Sequence, residues 1–441
     1  MNTREIVLDM LLELSKGETY CHLLIRDVLS KYNYLDQRDK AFIKKVTEGV
    51  IERKIELDYV INLFSNTKVN KLKPLIRELL RMSVYQILYM DQVPDSAVCN
   101  EAVKLAQKRK FTQLKGFVNG VLRNISRNKE TIACDDLSVK YSMPEFLVNK
   151  LMSVYDKETV EKIFSAFLME QPVCIRRKES LIKTQWDEIL KELQNAGIKV
   201  DNHPYLPYAY TIKKAEGLTN IESFRKGFFT VQDISSMLVA ECAGIKENQT
   251  VLDLCAAPGG KSMHIAEKLK NTGKLYSFDV SERKLSYILE NKERMGYQNI
   301  EVKVNDATVY RDDLEEAFDV VVADVPCSGI GVIGKKCDIK YRIGEEEIKD
   351  IVELQKKIMD NAWRYVKKGG TLIYSTCTIS REENEEMVKY LTDRTPLTLE
   401  SLDAYLPKEL LSDTTKKGYL QLVPGIHLCD GFFIARLKRA D

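Results

Sequence analysis

Several features are missing from the 441-residue sequence, and each absence excludes a class of protein. No apolar run approaches the roughly 20 residues that a membrane-spanning helix needs. The N-terminal stretch MNTREIVLDMLLELSKGE carries acidic residues within its apolar part, unlike a secretory signal peptide. We therefore expect a cytoplasmic protein that is not bound to a membrane.

The ten cysteines include no CxxC pair, and the four histidines are scattered. Because zinc sites in sequences show closely spaced cysteine and histidine ligands, we expect no metal. Disulfides are not expected either in a chain long enough to form large cores. The length favours two or three domains, and we expect a monomer.

The net charge of +2 says little, but the basic residues are unevenly distributed. Residues 101–129 contain eight of them against the single acid Glu101, namely Lys104, Lys108, Arg109, Lys110, Lys115, Arg123, Arg127 and Lys129. A nucleic-acid-binding face and a solvated helix face explain this run equally well.

The pattern of apolar residues divides the chain into three predicted domains. Residues 1–130 show helical spacing, as in Ile76, Leu79, Leu80, Val84 and Ile87, and predict an all-helical domain. Residues 138–232, in which prolines separate short helices and strands, predict a small α+β subdomain. Residues 233–441 alternate apolar strands with amphipathic helices, which predicts an α/β domain with a mostly parallel sheet. The end of the chain predicts an antiparallel hairpin at the edge of that sheet.

The motif DLCAAPGGKS at 253–262 follows the first predicted strand of the α/β domain and opens a helix. It is not a P-loop, because Cys255 stands where that motif needs glycine, and the dinucleotide-binding G-x-G-x-x-G is also absent. Its small residues would let a nucleoside approach backbone amides at a helix N-terminus.

Acidic residues close the next two predicted strands. Asp279 is placed to accept hydrogen bonds from both hydroxyls of a ribose, and Asp306 from an adenine amino group. Either acid alone could equally be a turn or a helix cap. Together with Asp253 they occupy three successive strand ends, which favours a binding site.

Two cysteines follow the fourth and fifth predicted strands, in DVPCSG at 324–329 and STCT at 375–378. A lone cysteine is usually a small core residue, but Cys327 and Cys377 should meet at one edge of the sheet. A thiolate that adds to carbon 6 of cytosine makes carbon 5 nucleophilic enough to accept a methyl group. Asp324 is the candidate proton donor to the ring, and Lys261 the candidate for lowering the thiol pKa.

These motifs, with FDVSERK, NDA and VQDISS, resemble those of RNA cytosine-5 methyltransferases, and the helical domain resembles a NusB-like RNA-binding domain. Together they are similar to the RsmB family of bacterial 16S ribosomal RNA methyltransferases. The resemblance implies a Rossmann-like class I S-adenosylmethionine methyltransferase domain, preceded by the NusB-like domain and an RNA-binding α+β subdomain.

The resemblance also implies roles for individual residues. The cofactor S-adenosylmethionine would be surrounded by Cys255, Ala256, Ala257, Pro258, Gly259, Gly260, Lys261, Asp279, Asp306 and Asp324. Cys377 would be the nucleophile, Cys327 would assist release of the methylated base, and ribosomal RNA would be the partner. Val325 and Cys337 depart from the family pattern, where alanine and proline are usual, and Cys337 lies in a loop expected on the substrate side.

Two other functions remain open from the sequence. DNA cytosine methyltransferases take their nucleophile from a Pro-Cys dipeptide such as Pro326-Cys327, although STCT argues against this. A non-enzymatic RNA-binding or antitermination factor would explain the first 130 residues alone.

Overall fold

The computed structural model describes residues 2–213 and 217–441. Its contacts divide the chain into two compact units, one of Met1–Met169 with Ile333–Arg342 and one of Glu170–Val332 with Ile343–Asp441. The three domains at 1–130, 138–232 and 233–441 stay a prediction, because a unit defined by contacts can contain more than one domain.

The first unit is helical. Its helices are α1 (Thr3–Leu14), α2 (Cys21–Lys31), α3 (Gln37–Glu52), α4 (Lys54–Phe64), α5 (Pro74–Tyr89), α6 (Asp95–Lys108), α7 (Lys115–Asn128), α8 (Leu137–Lys140), α9 (Glu145–Met152) and α10 (Lys157–Leu168). Helix α5 packs against α1, α3, α4, α6 and α7, and the five apolar residues that predicted it are each at most 3% exposed. Pro74 is its first residue, where a missing N–H costs no hydrogen bond. The predicted all-helical region is confirmed.

A short segment from late in the chain, Ile333–Arg342, belongs to this helical unit. The Asp338 carboxylate accepts a hydrogen bond from the Cys21 N–H at 2.8 Å, and the Lys340 ammonium donates to the Glu52 carbonyl at 2.6 Å. Cys337 is buried in the helical core. Cys337, which departs from the family pattern, is therefore packed in a core and does not lie in the substrate-side loop that the sequence predicted.

The second unit begins with a small antiparallel sheet. Its strands are β1 (Val173–Arg177), β2 (Lys199–Asn202), β3 (Ala209–Lys213) and β4 (Phe229–Val231), in the order β2-β3-β1-β4. Helices α11 (Lys183–Asn195) and α12 (Glu222–Arg225) accompany it. Trp186 of α11 and Phe229 share its apolar core.

The larger sheet of this unit has eight strands. They are β5 (Thr250–Asp253), β6 (Lys274–Asp279), β7 (Ile300–Val304), β8 (Phe318–Asp324), β9 (Val366–Thr376), β10 (Leu397–Leu399), β11 (Tyr419–Leu422) and β12 (Phe432–Arg439). The helices that precede or connect them are α13 (Ile234–Ala243), α14 (Gly260–Lys268), α15 (Glu282–Met295), α16 (Glu345–Ala362), α17 (Glu385–Arg394) and α18 (Asp413–Lys417). Strands β5 to β9 are parallel, as predicted.

The predicted edge hairpin is partly right. Strands β11 and β12 pair antiparallel, but β12 also pairs with β9 and with β10, so it lies inside the sheet. Strand β10 was not predicted, because three residues are too few to show a periodic pattern.

The strand order β10-β12-β9-β8-β5-β6-β7 reverses direction at β5. From β5 the chain continues outward through β6 and β7, and it then returns to β8 on the other side. The crevice at such a switch point, beyond the carboxyl ends of the strands, is where ligands bind in doubly wound sheets. The loops after β5 and β8 flank this crevice, and β9 follows β8.

No helix in residues 2–213 and 217–441 is long and apolar enough to cross a membrane.

Candidate active site

The loop between β5 and α14 is held at both sides by the sheet. The Leu254 N–H donates to the Val322 carbonyl at 2.9 Å, and the Ala256 N–H donates to the Phe278 carbonyl at 2.8 Å. Gly259 has a φ of 102°, and a Cβ there would lie 3.2 Å from the Cα of Ile288. Helix α14 begins at Gly260 without a capping side chain, so its first amides are available to a ligand.

Asp279 and Asp306, the acids predicted to bind the ribose and the adenine, have different surroundings. Asp279 is buried at the end of β6 and accepts hydrogen bonds from the Ala257 N–H at 3.2 Å and the Ser281 N–H at 3.0 Å. It is therefore attached to the loop after β5. Asp306 lies two residues beyond β7 and is exposed, and Thr308 donates two hydrogen bonds to it that lower its pKa. Asp306 thus forms the turn that the alternative interpretation allowed, and no described contact joins it to the other predicted site residues.

Asp253 is the first of the three acids that the sequence places at successive strand ends. Its side chain is fully buried, Oδ2 accepts a hydrogen bond from Ser262 at 2.6 Å, and Oδ1 has no partner. Burial raises the pKa of Asp253 to about 7, although Ser262 and the Lys261 charge oppose this rise. A buried carboxyl with one unused oxygen is suited to a cationic ligand.

Lys261 and Asp324 form an ion pair at the switch point. The Lys261 Nζ lies 2.6 Å from Asp324 Oδ2, and Ser375 donates to Asp324 Oδ1 at 2.9 Å. Burial lowers the pKa of Lys261, but the neighbouring acids and the Cys377 thiol raise it by more, so its pKa is above the ordinary value. By the same interaction, the Lys261 charge favours the thiolate form of Cys377.

The two predicted cysteines are in contact. Their Sγ atoms are 3.1 Å apart, and the Cys377 N–H donates to the Cys327 Sγ at 3.2 Å. Strand pairing brings them together, because Asp324 at the end of β8 is directly opposite Ser375 of β9. Both thiols are half-buried at the same edge of the sheet.

The surroundings of the two thiols are different. The hydrogen bond with Cys377, burial, and the charges of Cys377, Glu383 and Asp324 together raise the pKa of Cys327 well above its ordinary value. Burial and the nearby acids thus favour the protonated form of Cys327. Either sulfur can donate in the contact between the two thiols, and the Lys261 charge interacts with Cys377.

The remaining predicted residues lie in the loop after β5. Cys255 is half-buried after β5, and burial raises the pKa of its thiol, so it acts as a small apolar side chain. The structure thus brings Lys261 into contact with Asp324 and Cys327 into contact with Cys377, and the Lys261 charge interacts with Cys377. Asp279 is joined to the loop after β5 through Ala257. The sequence placed Asp253 at a strand end but gave it no role of its own. Glu383 was missed, because no spacing or motif in the sequence distinguishes it from other acids.

Half of the eight basic residues at 101–129 form ion pairs within the helical unit. Lys108 pairs with Glu5, Arg109 pairs with Glu5 and Asp9, and Lys129 pairs with Asp95. Lys104 likewise pairs with Glu101. No acid of the described residues pairs with the exposed side chains of Lys110, Lys115, Arg123 and Arg127. Three of these, at positions 115, 123 and 127, share one face of α7, because four residues make about one helical turn.

One group of metal-ligand types occurs elsewhere in the second unit, at Glu179, Glu241 and His264. The Lys268 Nζ is 2.7 Å from a carboxylate oxygen of each glutamate, so a lysine ammonium already neutralises them. Burial lowers the pKa of His264 to about 3, and the ring is neutral. The expectation that the protein has no metal stays a prediction.

Comparison with known proteins places these features in a family. The sequence matches the family "16S rRNA methyltransferase RsmB/F" over residues 242–438, the NusB family over residues 1–127 and the "Methyltr_RsmF/B-like, ferredoxin-like domain" over residues 143–219.

Two curated relatives are similar along their whole length. The "probable ribosomal RNA small subunit methyltransferase B" of Bacillus subtilis is 36% identical over 448 residues, covering 99% of each chain. The protein of the same description from Synechocystis is 30% identical over 451 residues, covering 100% of each chain. The crystal structure of PH0851 matches with a TM-score of 0.82 at 25% identity, covering 100% of this chain and 99% of the other.

Proposed function

Since the chain belongs to the RsmB/F family of 16S rRNA methyltransferases, we propose that it methylates carbon 5 of a cytosine in 16S ribosomal RNA through a covalent Cys377 adduct. The predicted family and α/β methyltransferase fold are confirmed, and S-adenosylmethionine is the methyl donor. A purely RNA-binding or antitermination role is excluded, because the family is one of enzymes. The observation that carries the proposal is the contact of the two thiols beside the Lys261–Asp324 pair.

The residues of the crevice fit the cofactor. The unused oxygen of buried Asp253 suits a cationic ammonium, and the first amides of α14 suit a carboxylate. Val280, next to Asp279, is 64% exposed and offers an apolar surface to an adenine base. When bound, S-adenosylmethionine supplies an electrophilic methyl group on a sulfonium.

The addition step uses Cys377 and Asp324. The Cys377 thiolate forms a bond to carbon 6 of cytosine, and the electron pair of the carbon 5–carbon 6 double bond moves toward carbon 5. The ring nitrogen gains a proton that comes from the Lys261 ammonium and is relayed by the Asp324 carboxylate 2.6 Å away. The ring is thereby activated at carbon 5.

The elimination step uses Cys327. As the bond between Cys377 and carbon 6 breaks, its electron pair returns to the Cys377 sulfur, which takes the proton of the Cys327 thiol at 3.1 Å. Cys327 in turn accepts the proton lost from carbon 5, and Asp324 regains the proton of the ring nitrogen. Asp324 passes its proton back to Lys261, which restores the ion pair. Both thiols then carry a proton, and Cys377 returns to the thiolate by losing its proton to solvent, which is the one proton released for each methyl group transferred.

Incubation with labelled S-adenosylmethionine and either 16S ribosomal RNA or DNA tests the proposal. We expect label in RNA as 5-methylcytosine and none in DNA. Label in DNA would support the alternative in which Pro326-Cys327 provides the nucleophile, and label at another base of RNA would reject the cytosine mechanism.

The affinity for S-adenosylmethionine is expected to depend on pH through Asp253. The folded-state pKa of about 7 means that the carboxyl is largely protonated below that pH, whereas a net cationic ligand favours the ionised form. Affinity should therefore rise as the pH increases toward 7, by up to about tenfold per pH unit, and level off above it. Calorimetric titrations at pH 6, 7 and 8 measure this.

Asp253→Asn should remove the rise, and the exposed control Asp312→Asn should keep it. A wild-type affinity that does not change with pH, or the same slope in Asp253→Asn, would show that Asp253 does not face the ligand.

The exposed basic face of α7 is expected to contribute to RNA affinity. Reversing the charge of Lys115, Arg123 and Arg127 to glutamate should flatten the dependence of log K on log salt by about 0.7–0.9 for each lost phosphate contact. Lys108 and Arg109 are unsuitable for this test, since their reversal would also break ion pairs with Glu5.

Filter binding of 16S ribosomal RNA over a salt series provides the measurement. The matched control reverses three exposed basic residues of α3 in the same unit, Arg38, Lys44 and Lys45. If both triple variants change the slope equally, the α7 face has no specific part in RNA binding.

A further inference from the structure

A completely buried glutamate, Glu383, is hydrogen-bonded to the residue that follows the first of the two cysteines. Glu383 follows β9 and accepts hydrogen bonds from the Ser328 N–H at 2.8 Å, the Ser328 hydroxyl at 2.5 Å and the Gln355 Nε2 at 3.1 Å. Ser328 is the residue after Cys327. The Glu383 carboxylate is therefore hydrogen-bonded to the loop that carries Cys327.

The same network reaches the loop of the second thiol. The Ser328 hydroxyl is 2.7 Å from the hydroxyl of Thr378, the residue after Cys377. Asn384, next to Glu383 in the chain, donates to the Thr378 carbonyl at 3.0 Å and accepts from the Thr376 hydroxyl at 2.6 Å. Residues adjoining both cysteines are thus held by two consecutive buried side chains.

Residues of β9 and α16 form hydrogen bonds with Glu383 and with the residues around it. Gln355 of α16 also donates to the Pro326 carbonyl at 2.9 Å, so both neighbours of Cys327 are fixed. The Tyr374 hydroxyl of β9 donates to the Glu383 carbonyl at 2.5 Å. The loop conformations around the thiols are consequently determined by packed elements.

A buried carboxylate is a costly way to fill a core. Burial raises the pKa of Glu383, and its hydrogen bonds from Ser328, Gln355 and Thr378 oppose this rise. No lysine or arginine of the described chain pairs with it, so neutral donors alone satisfy the carboxylate. An apolar side chain of similar volume would often be at least as stabilising. A role other than stability therefore accounts better for a glutamate at this position.

We propose that Glu383 is a positioning residue that holds the Cys327 loop against the Cys377 loop, so that the two thiols stay in contact. The inference rests on the proposed function for its catalytic meaning. Without the carboxylate, Ser328 loses both of its partners on Glu383 and the Cys327 loop is free to move away from Thr378. A displacement of about 1 Å at such a site costs on the order of 10²-fold in rate.

Two substitutions at Glu383 distinguish a role in positioning the loops from a role of the negative charge. Glu383→Ala removes every side-chain hydrogen bond, whereas Glu383→Gln can keep those with Ser328 and Gln355. Its amide oxygen can accept from the Ser328 N–H and Gln355, and its NH2 can donate to the Ser328 hydroxyl, which then donates to Thr378. Glu386→Gln, an exposed position on α17, is the matched control.

The first readout needs no methyl transfer. Diamide, an azo oxidant, converts two neighbouring thiols to a disulfide while its N=N bond is reduced to a hydrazine, which takes up the two protons. Peptide mapping should find a Cys327–Cys377 disulfide in the wild type, Glu383→Gln and Glu386→Gln. In Glu383→Ala it should form at least about tenfold more slowly, because disulfide geometry tolerates little displacement.

The second readout is turnover per S-adenosylmethionine-binding protein, which removes the effect of any unfolded fraction. We expect kcat to fall about 10²-fold in Glu383→Ala with little change in KM for the cofactor, and to be restored to within a few fold in Glu383→Gln. If Glu383→Ala does not fold, Ser328→Ala removes the hydroxyl contacts with Glu383 and Thr378 and should slow both reactions.

Unchanged disulfide formation and kcat in folded Glu383→Ala would overturn the proposal, as would a Glu383→Gln protein as impaired as Glu383→Ala. If the wild type methylates no cytosine yet disulfide formation depends on Glu383, the proposed function fails and the positioning role stands.

Discussion

Replacing Cys377 by alanine is expected to abolish methyl transfer while leaving the cofactor site intact. Without its sulfur no bond to carbon 6 forms, and carbon 5 stays too weak a nucleophile to be methylated. Loss of a catalytic nucleophile costs on the order of 10⁴- to 10⁶-fold in kcat. The affinity for S-adenosylmethionine should change little, because Asp253, Asp279 and the loop after β5 do not depend on the thiol.

Turnover with labelled S-adenosylmethionine and calorimetric titration of the same preparation measure the two quantities. Cys134→Ala is the control for loss of a thiol, since Cys134 lies in the helical unit. Residual turnover in Cys377→Ala within about tenfold of the wild type would mean that another group attacks the base.

Replacing Cys327 by alanine is expected to trap the reaction after methyl transfer. The Cys377 thiolate, Lys261 and Asp324 remain in place, so addition to carbon 6 can proceed. The proton that the departing Cys377 sulfur would take is lost, together with the group that accepts the proton of carbon 5. The methylated base should therefore stay attached to the protein.

Denaturing electrophoresis should show a protein–RNA band in Cys327→Ala that carries the label of the transferred methyl group. Multiple turnover should fall by about 10²- to 10⁴-fold, the range of a lost proton-transfer group. The double variant Cys327→Ala with Cys377→Ala should show no band. Normal turnover and no trapped species in Cys327→Ala would remove Cys327 from the elimination step.

Local sequence patterns predict which strand ends form the site, but they do not predict the contacts between the loops. Apolar strands alternating with helices predict that Asp324 and Ser375 end neighbouring parallel strands, and their pairing is seen. That rule predicts one shared edge for Cys327 and Cys377. It does not predict a separation of 3.1 Å, which depends on loops that Glu383 and Asn384 hold.

The features that the sequence did not reveal all depend on contacts between distant residues. Glu383 lies in the polar run REENEE, which has the pattern of a solvated face, and only packing against α16 shows that one of these acids is buried. The ion pair between Arg109 and Asp9 could not be predicted, because the two residues are 100 positions apart in the sequence. Likewise, nothing local indicates that the segment with Cys337 packs in a helical core.

The most direct test of the central claim, that Cys377 is the covalent nucleophile, is peptide mapping by mass spectrometry of the adduct trapped with Cys327→Ala. After nuclease and protease digestion, the mass of the methylated nucleotide should lie on Cys377, in the peptide that contains YSTCT. If the adduct forms instead in Cys377→Ala and maps to Cys327, the roles of the two thiols are reversed and the mechanism proposed for this site is wrong.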